Sequence, residues 1–158
     1  TNFGPPPYLG VTWRAGQRNS RGLYKECPAA DIADLLRPLD ARIVALQRNP
    51  EEGEVADFAT RLGREVLDLS AANADLEDML ALVGLLDDQV CVSNTNVHLA
   101  AARGRTCRVL VPSPPEFRWM ATGDESPWFP GMRLYRQRID GDWRPAFETL
   151  ARDLAGGG

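Results

Sequence analysis

QVCVSNTNVHLAAARGRTCRVLV, residues 89–111, decides the fold. Residues 89–93 are apolar and partly β-branched and read as a strand. Residues 94–103 follow Ser93 and Asn94, either of which would cap a helix, and continue through Ala100, Ala101 and Ala102. Residues 107–111 (CRVLV) return to strand chemistry. Strand, helix and strand over so short a span is a βαβ unit, and such units build parallel sheets.

The same alternation runs outward in both directions. Residues 8–13 (YLGVTW) and 41–46 (ARIVAL) are further strands, and residues 65–69 and 132–136 are shorter ones. Between them lie helical patterns. Residues 29–37 carry Ile32, Leu35 and Leu36; residues 54–62 carry Val55, Phe58, Ala59 and Leu62 on one face. Residues 75–86 carry Leu76, Met79, Leu80, Val83 and Leu86, and residues 143–154 form a last helix. Several strands lack in/out alternation, as expected when helices cover both faces. The pattern predicts a Rossmann-like three-layer α/β/α sandwich with about six parallel strands and right-handed crossovers. One such domain spans residues 8–155. Residues 1–7, with Gly4 and three prolines, are expected to be an extended linker, and the triple glycine at 156–158 a flexible tail.

Composition narrows the function. The 158 residues carry 18 basic and 22 acidic side chains, a net charge of −4, which disfavours a general nucleic-acid surface. No run of ~18 apolar residues exists, so no membrane span is expected, and no secretory leader is visible. Cys27, Cys91 and Cys107 are an odd number without CxxC spacing; they read as buried thiols of a cytoplasmic protein. With one histidine, a metal site is not expected, and no cofactor is implied. The charge is uneven: residues 1–50 are net +3, residues 51–88 net −9 and residues 89–158 net +2. Seventeen of the 18 cations are Arg; the one Lys is Lys25 and the one His is His98.

Open parallel sheets bind ligands beyond the carboxyl ends of their strands, where strand order reverses. For this chain that means the loops after strands one and four, residues 14–28 and 93–98. They hold Lys25 and His98. The first loop also carries Arg14, Arg18 and Arg21 beside Gly16 and Gly22. Cations and closely approaching backbone amides suit an anion. No Walker A or GxGxxG pattern is present. The second loop offers Ser93, Asn94, Thr95 and Asn96 at a helix start, whose orphan N–H groups favour negative charge. Against this stand two plainer readings: an exposed basic loop, and a capped helix with a core-facing His98.

Residues 92–102, with Gly104 and the strand ending at Pro112, resemble the D-[ST]-x-x-x-H-[LI]-A-[AG]-A-x-G-x-P motif of glycosyltransferase family 9, the ADP-heptose:lipopolysaccharide heptosyltransferases. Lys25-Glu26-Cys27-Pro28 is similar to that family's K-x-W-P. Residues 117–137 resemble a branch whose domain ends bacterial tetratricopeptide-repeat proteins. The resemblance covers residues 8–154. It implies the C-terminal half of a GT-B glycosyltransferase, binding a nucleotide-diphosphate sugar, with Lys25 at the donor phosphate and Thr95 and His98 at the diphosphate or the nucleotide. It also implies a ribose-binding carboxylate after the second strand, Glu51 or Glu52, though acidic residues opening a helix at Gly53 read equally well there. The catalytic base is expected in an N-terminal half outside these residues, so the fragment alone is expected not to turn over sugar. Asn94 stands where the family has Asp, and Cys27 where it has Trp. A degenerate transferase domain serving as an interaction module of a repeat protein is the alternative. Trp119, Trp128 and Phe129 suit either ring stacking or clamping of a long loop.

Overall fold

The computed structural model describes residues 3–16 and 25–156. Six strands form one sheet: β1 (Tyr8–Thr12), β2 (Arg42–Ala45), β3 (Val66–Asp68), β4 (Asp88–Val92), β5 (Arg108–Val111) and β6 (Arg133–Arg136). Their spatial order is β3-β2-β1-β4-β5-β6, and every pairing is parallel. Helices α1 (Ala29–Leu36), α2 (Glu54–Leu62), α3 (Leu76–Leu85) and α4 (Thr95–Ala102) make the crossovers from β1 to β5, and α5 (Arg144–Ala155) follows β6. The expected Rossmann-like α/β sandwich is therefore present, with β1 and β4 at the order reversal.

The sequence explains the layers. Successive strand residues face opposite ways. Ile43 and Ala45, Val90 and Val92, and Leu110 join Ile32, Leu36, Phe58, Leu62 and Leu150 on the α1/α2/α5 side. Val44, Cys91, Val109 and Val111 join Met79, Val83, Val97 and Ala100 on the α3/α4 side. Both sets are apolar because both faces are covered, which is why the strands showed little alternation. Gly10 lies at the centre of β1. A Cβ there would come within 2.5 Å of the Leu86 side chain, so the glycine lets α3's end settle on the sheet. All three cysteines are buried free thiols, as expected.

The lead-in departs from expectation. It bends at Pro5–Pro6 instead of running extended, and Tyr8 Oη donates to Gly4 O at 2.5 Å. Residues 1–2 of that linker and residues 157–158 of the expected tail lie outside the described residues.

The connection from β5 to β6 is long, and one cation fixes it. Arg136 at the end of β6 donates to the carbonyls of Trp119, Met120 (2.9 Å), Thr122 (3.1 Å) and Gly123 (2.6 Å). Trp119, fully buried and stacked on Phe129 at 5.2 Å, supplies the apolar half of the anchor. Arg136→Met removes every one of those donors while keeping the aliphatic stem. We expect it to leave the circular-dichroism spectrum intact and to open this connection to limited proteolysis near Met120. Resistance equal to wild type contradicts the assignment.

Candidate functional site

β1 ends at Thr12, and the chain does not leave the sheet edge at once. Ala15 N donates to Lys25 O at 2.8 Å and Cys27 N to Trp13 O at 2.8 Å, a short antiparallel clasp. The clasp returns the chain to the carboxyl end of β1 and sets Lys25 there. Across the order reversal, α4 starts at Asn94, whose extended backbone makes it a regular N-cap. Its side-chain oxygen accepts from Asn96 N at 2.9 Å, and its Nδ2 donates to Thr12 Oγ1 at 2.8 Å. An amide does both jobs at once, one as acceptor and one as donor. Asn94 thus caps the helix and stitches β4 to β1. Asn96, 3% exposed, turns inward with its Nδ2 3.4 Å from Leu46 O.

Lys25, Ser93, Asn94, Thr95, Asn96 and His98 accordingly line one cleft of about 250 Å³, together with Gly16, Arg48, Asn73 and Arg118. Its polar groups converge on a residue the sequence reading did not single out. Glu116, in the loop after β5, takes the Lys25 ammonium at 2.6 Å and the Ser93 hydroxyl on its two oxygens. Trp119 Nε1 donates to it at 3.3 Å, and Arg118 Nη1 stands 3.9 Å away. Burial pushes the Glu116 carboxyl up, but the hydrogen bonds from Lys25 and Ser93 and the charges of Lys25 and Arg118 hold it below the ordinary range. His98 is drawn down, by burial first and then by the charges of Arg118 and Lys25, against the pull of Glu116. A neutral ring accepts at Nε2, which suits its 3.3 Å contact with Arg118 Nη1.

Among the described residues three cations, Lys25, Arg48 and Arg118, gather here with one partly buried carboxylate, so the cleft keeps a positive excess. The orphan N–H groups of α4 add to it, with about 0.3–1 kcal/mol for a nearby anion at the surface. Arg48 was not foreseen. Gly16 explains its place: a Cβ on Gly16 would sit 2.9 Å from Arg48 Cγ and Cδ, so the glycine makes room for that side chain.

Other expectations are corrected. Arg14 does not line the cleft. It is 4% exposed and forked onto Glu54, with Nε to Oε1 at 2.8 Å and Nη2 to Oε2 at 2.5 Å, and Nη2 also reaches Asn49 O at 2.9 Å. The carboxylate that the second loop orders is therefore Glu54, which also accepts from Trp13 Nε1 at 2.6 Å. Glu51 and Glu52 are exposed and outside the cleft lining; Glu51 N donates to Glu54 Oε2 at 2.7 Å, a helix-opening contact. Arg18 and Arg21 lie outside the described residues.

Two larger clefts lack this chemistry. One of about 650 Å³ between α1, α2 and the start of α5 is lined by Trp13, Phe58 and Trp143 with Glu26, Glu54 and Asp57, an acidic surround. One of about 490 Å³ lies at the amino ends of β4–β6, where Arg108 is paired with Asp88 at 2.7 Å. Among the described residues no group of three or more His, Cys, Asp or Glu is placed to hold a metal ion, and no helix is long and apolar enough to cross a membrane.

No family model matches the chain, and no solved structure matches it. It is similar to Protein FlbA of Caulobacter vibrioides, with 29% identity over 158 residues that cover 96% of this chain and 26% of that protein. The chain spans about a quarter of the length of that relative.

The depressed Glu116 value sets a pH dependence. A carboxylate held below its unfolded value, about 4.3, adds stability that is complete above that pH and drains away as the pH falls through the folded value. The urea midpoint of wild type minus that of Glu116→Gln should be constant above roughly pH 5.5 and shrink as the pH drops through about 4. A difference that stays flat to pH 3, or widens, contradicts the assignment.

Proposed function

We propose that the chain is the donor-binding domain of a GT-B glycosyltransferase, holding the diphosphate of a nucleotide-activated sugar in the Lys25–Thr95 cleft. One observation carries the reading: Lys25 and the amino end of α4 face a common cleft at the order reversal, with Arg48 and Arg118 on its walls. The cleft is of a size for a phosphate group and its sign is right. In sugar transfer, negative charge grows on the leaving diphosphate. Donors already in place at that point stabilise the transition state without reorganising. Lys25 is held by Glu116, the α4 amides by the Asn94 cap and Arg118 by the fixed loop, so the cradle is preorganised.

The activity of a complete transferase needs a base to deprotonate the acceptor hydroxyl. Among the described cleft residues, Glu116 is spent on Lys25 and Ser93, and the neutral His98 ring is engaged by Arg118 Nη1 at its Nε2. The base is assigned to a further GT-B half, and this fragment binds donor without turning it over. A second reading, an interaction module descended from such a domain and attached to tetratricopeptide repeats, is favoured by the same Glu116, which neutralises the one lysine.

Calorimetry separates them. ADP, UDP and GDP are titrated into wild type, Lys25→Ala and Thr95→Ala, each checked for folding by circular dichroism. Saturable binding of at least one nucleotide, weakened roughly tenfold to a hundredfold in Lys25→Ala and less in Thr95→Ala, is expected. Absence of binding by all three at millimolar concentration supports the interaction module instead.

A further inference from the structure

The connection between β5 and β6 puts aromatic rings on both sides of a boundary. Trp119 is fully buried, and Phe129 packs on it and, edge-on, on His98 at 5.1 Å. These two rings clamp the loop. Phe117 and Trp128 do the opposite: they are 70% and 60% exposed, T-shaped against each other with centres 5.7 Å apart. Leaving two large rings in water forgoes the burial that such side chains ordinarily gain. Yet the backbone beneath them is firmly held. Arg136 caps its carbonyls, Ser126 Oγ donates to Arg118 O at 2.6 Å, and Trp128 N donates back to Ser126 Oγ at 3.2 Å. The pair is thus presented outward on a fixed scaffold.

Arg118 joins this ledge to the cleft. Its Nη1 reaches His98 Nε2 inside the cleft, while its guanidinium carbon stands 5.4 Å from the centre of the Phe117 ring. A cation and a π face therefore continue from the anion cradle to the rim without a break. A ligand that carries phosphate at one end and a flat, polarisable ring at the other matches this order of chemistry.

We propose that Phe117 and Trp128 form a stacking platform for the base of the nucleotide whose phosphates occupy the Lys25–Thr95 cleft, with Arg118 bridging the two. The proposal rests on the donor-site reading and adds the base subsite to it. Stacking on an aromatic face accepts any base, so the platform supplies affinity and orientation and leaves base selection to edge contacts. Trp119 and Phe129 take no part in binding and serve only to hold the ledge.

The test compares two probes on the whole chain: ADP, which carries a base, and inorganic pyrophosphate, which does not. Calorimetry is run on wild type, Phe117→Ala/Trp128→Ala, Trp128→Phe and Lys25→Ala. Both substituted rings are exposed, so the double variant should fold. ADP affinity is expected to fall roughly tenfold or more in the double variant, with pyrophosphate affinity unchanged. Trp128→Phe keeps most of the ADP affinity, and Lys25→Ala weakens both probes. If wild type binds both probes and the double variant binds both as wild type does, the platform is overturned and the anion site stands. Equal weakening of both probes in the double variant also overturns it, since the rings then serve the anion end. If wild type binds neither, the donor reading and the platform fall together. Loss of self-association in the double variant, seen by sedimentation with ADP affinity unchanged, makes the ledge a contact between copies and overturns the proposal.

Discussion

The Glu116 carboxylate ties together three strand ends that the chain visits far apart. One oxygen holds Lys25, which follows β1, at 2.6 Å; the other takes Ser93 at the end of β4 and Trp119 beyond β5. Withdrawing a carboxylate this far from water is costly, and an isolated one would gain a proton. It stays ionised because an ammonium and a hydroxyl meet it directly. The ion pair is thus weak evidence for stability and good evidence for arrangement: it fixes where the lysine sits relative to α4. Asn94 performs the neutral counterpart, joining β4 to β1 through Thr12.

Elsewhere the molecule spends its charges on itself. Arg14 is closed by Glu54, Arg108 by Asp88 and the Tyr135 hydroxyl, and Asp153 by Tyr135 and Arg133. Each of these sits at an end of the sheet and pins a loop or helix to it. Against that background the cleft stands out: its three cations face a single partly buried carboxylate and a neutral histidine. The positive excess lies at the order reversal of a parallel sheet, which is where fold geometry directs ligands.

How much of this the residues disclosed varies with the physics behind each feature. The strands were legible because a doubly covered sheet demands continuous apolar runs, as in ARIVAL and CRVLV. Lys25 and the α4 start were legible because topology alone brings the first and fourth strand ends together. Glu116 was not, since its role depends on the course of a long aperiodic loop. Arg14 looked like its neighbours Arg18 and Arg21; only the path of the second loop shows that Glu54 claims it. Glu54 is hidden in the same way: the sequence shows it only as the first residue of a helical pattern, and the ends of such a pattern are readable only to within a residue or two. Trp119 and Trp128 are indistinguishable by type. Their opposite fates, one in the core and one in water, are set by the Arg136 clamp.

The most direct measurement is an amide chemical-shift map of the isotopically labelled chain with and without inorganic pyrophosphate. The account predicts shifts concentrated at Gly16, Lys25, Thr95, Asn96 and Val97, with the amides around Arg108 and Arg133 unmoved. Shifts centred on the Arg108–Arg133 end of the sheet, or none at millimolar pyrophosphate, would contradict it.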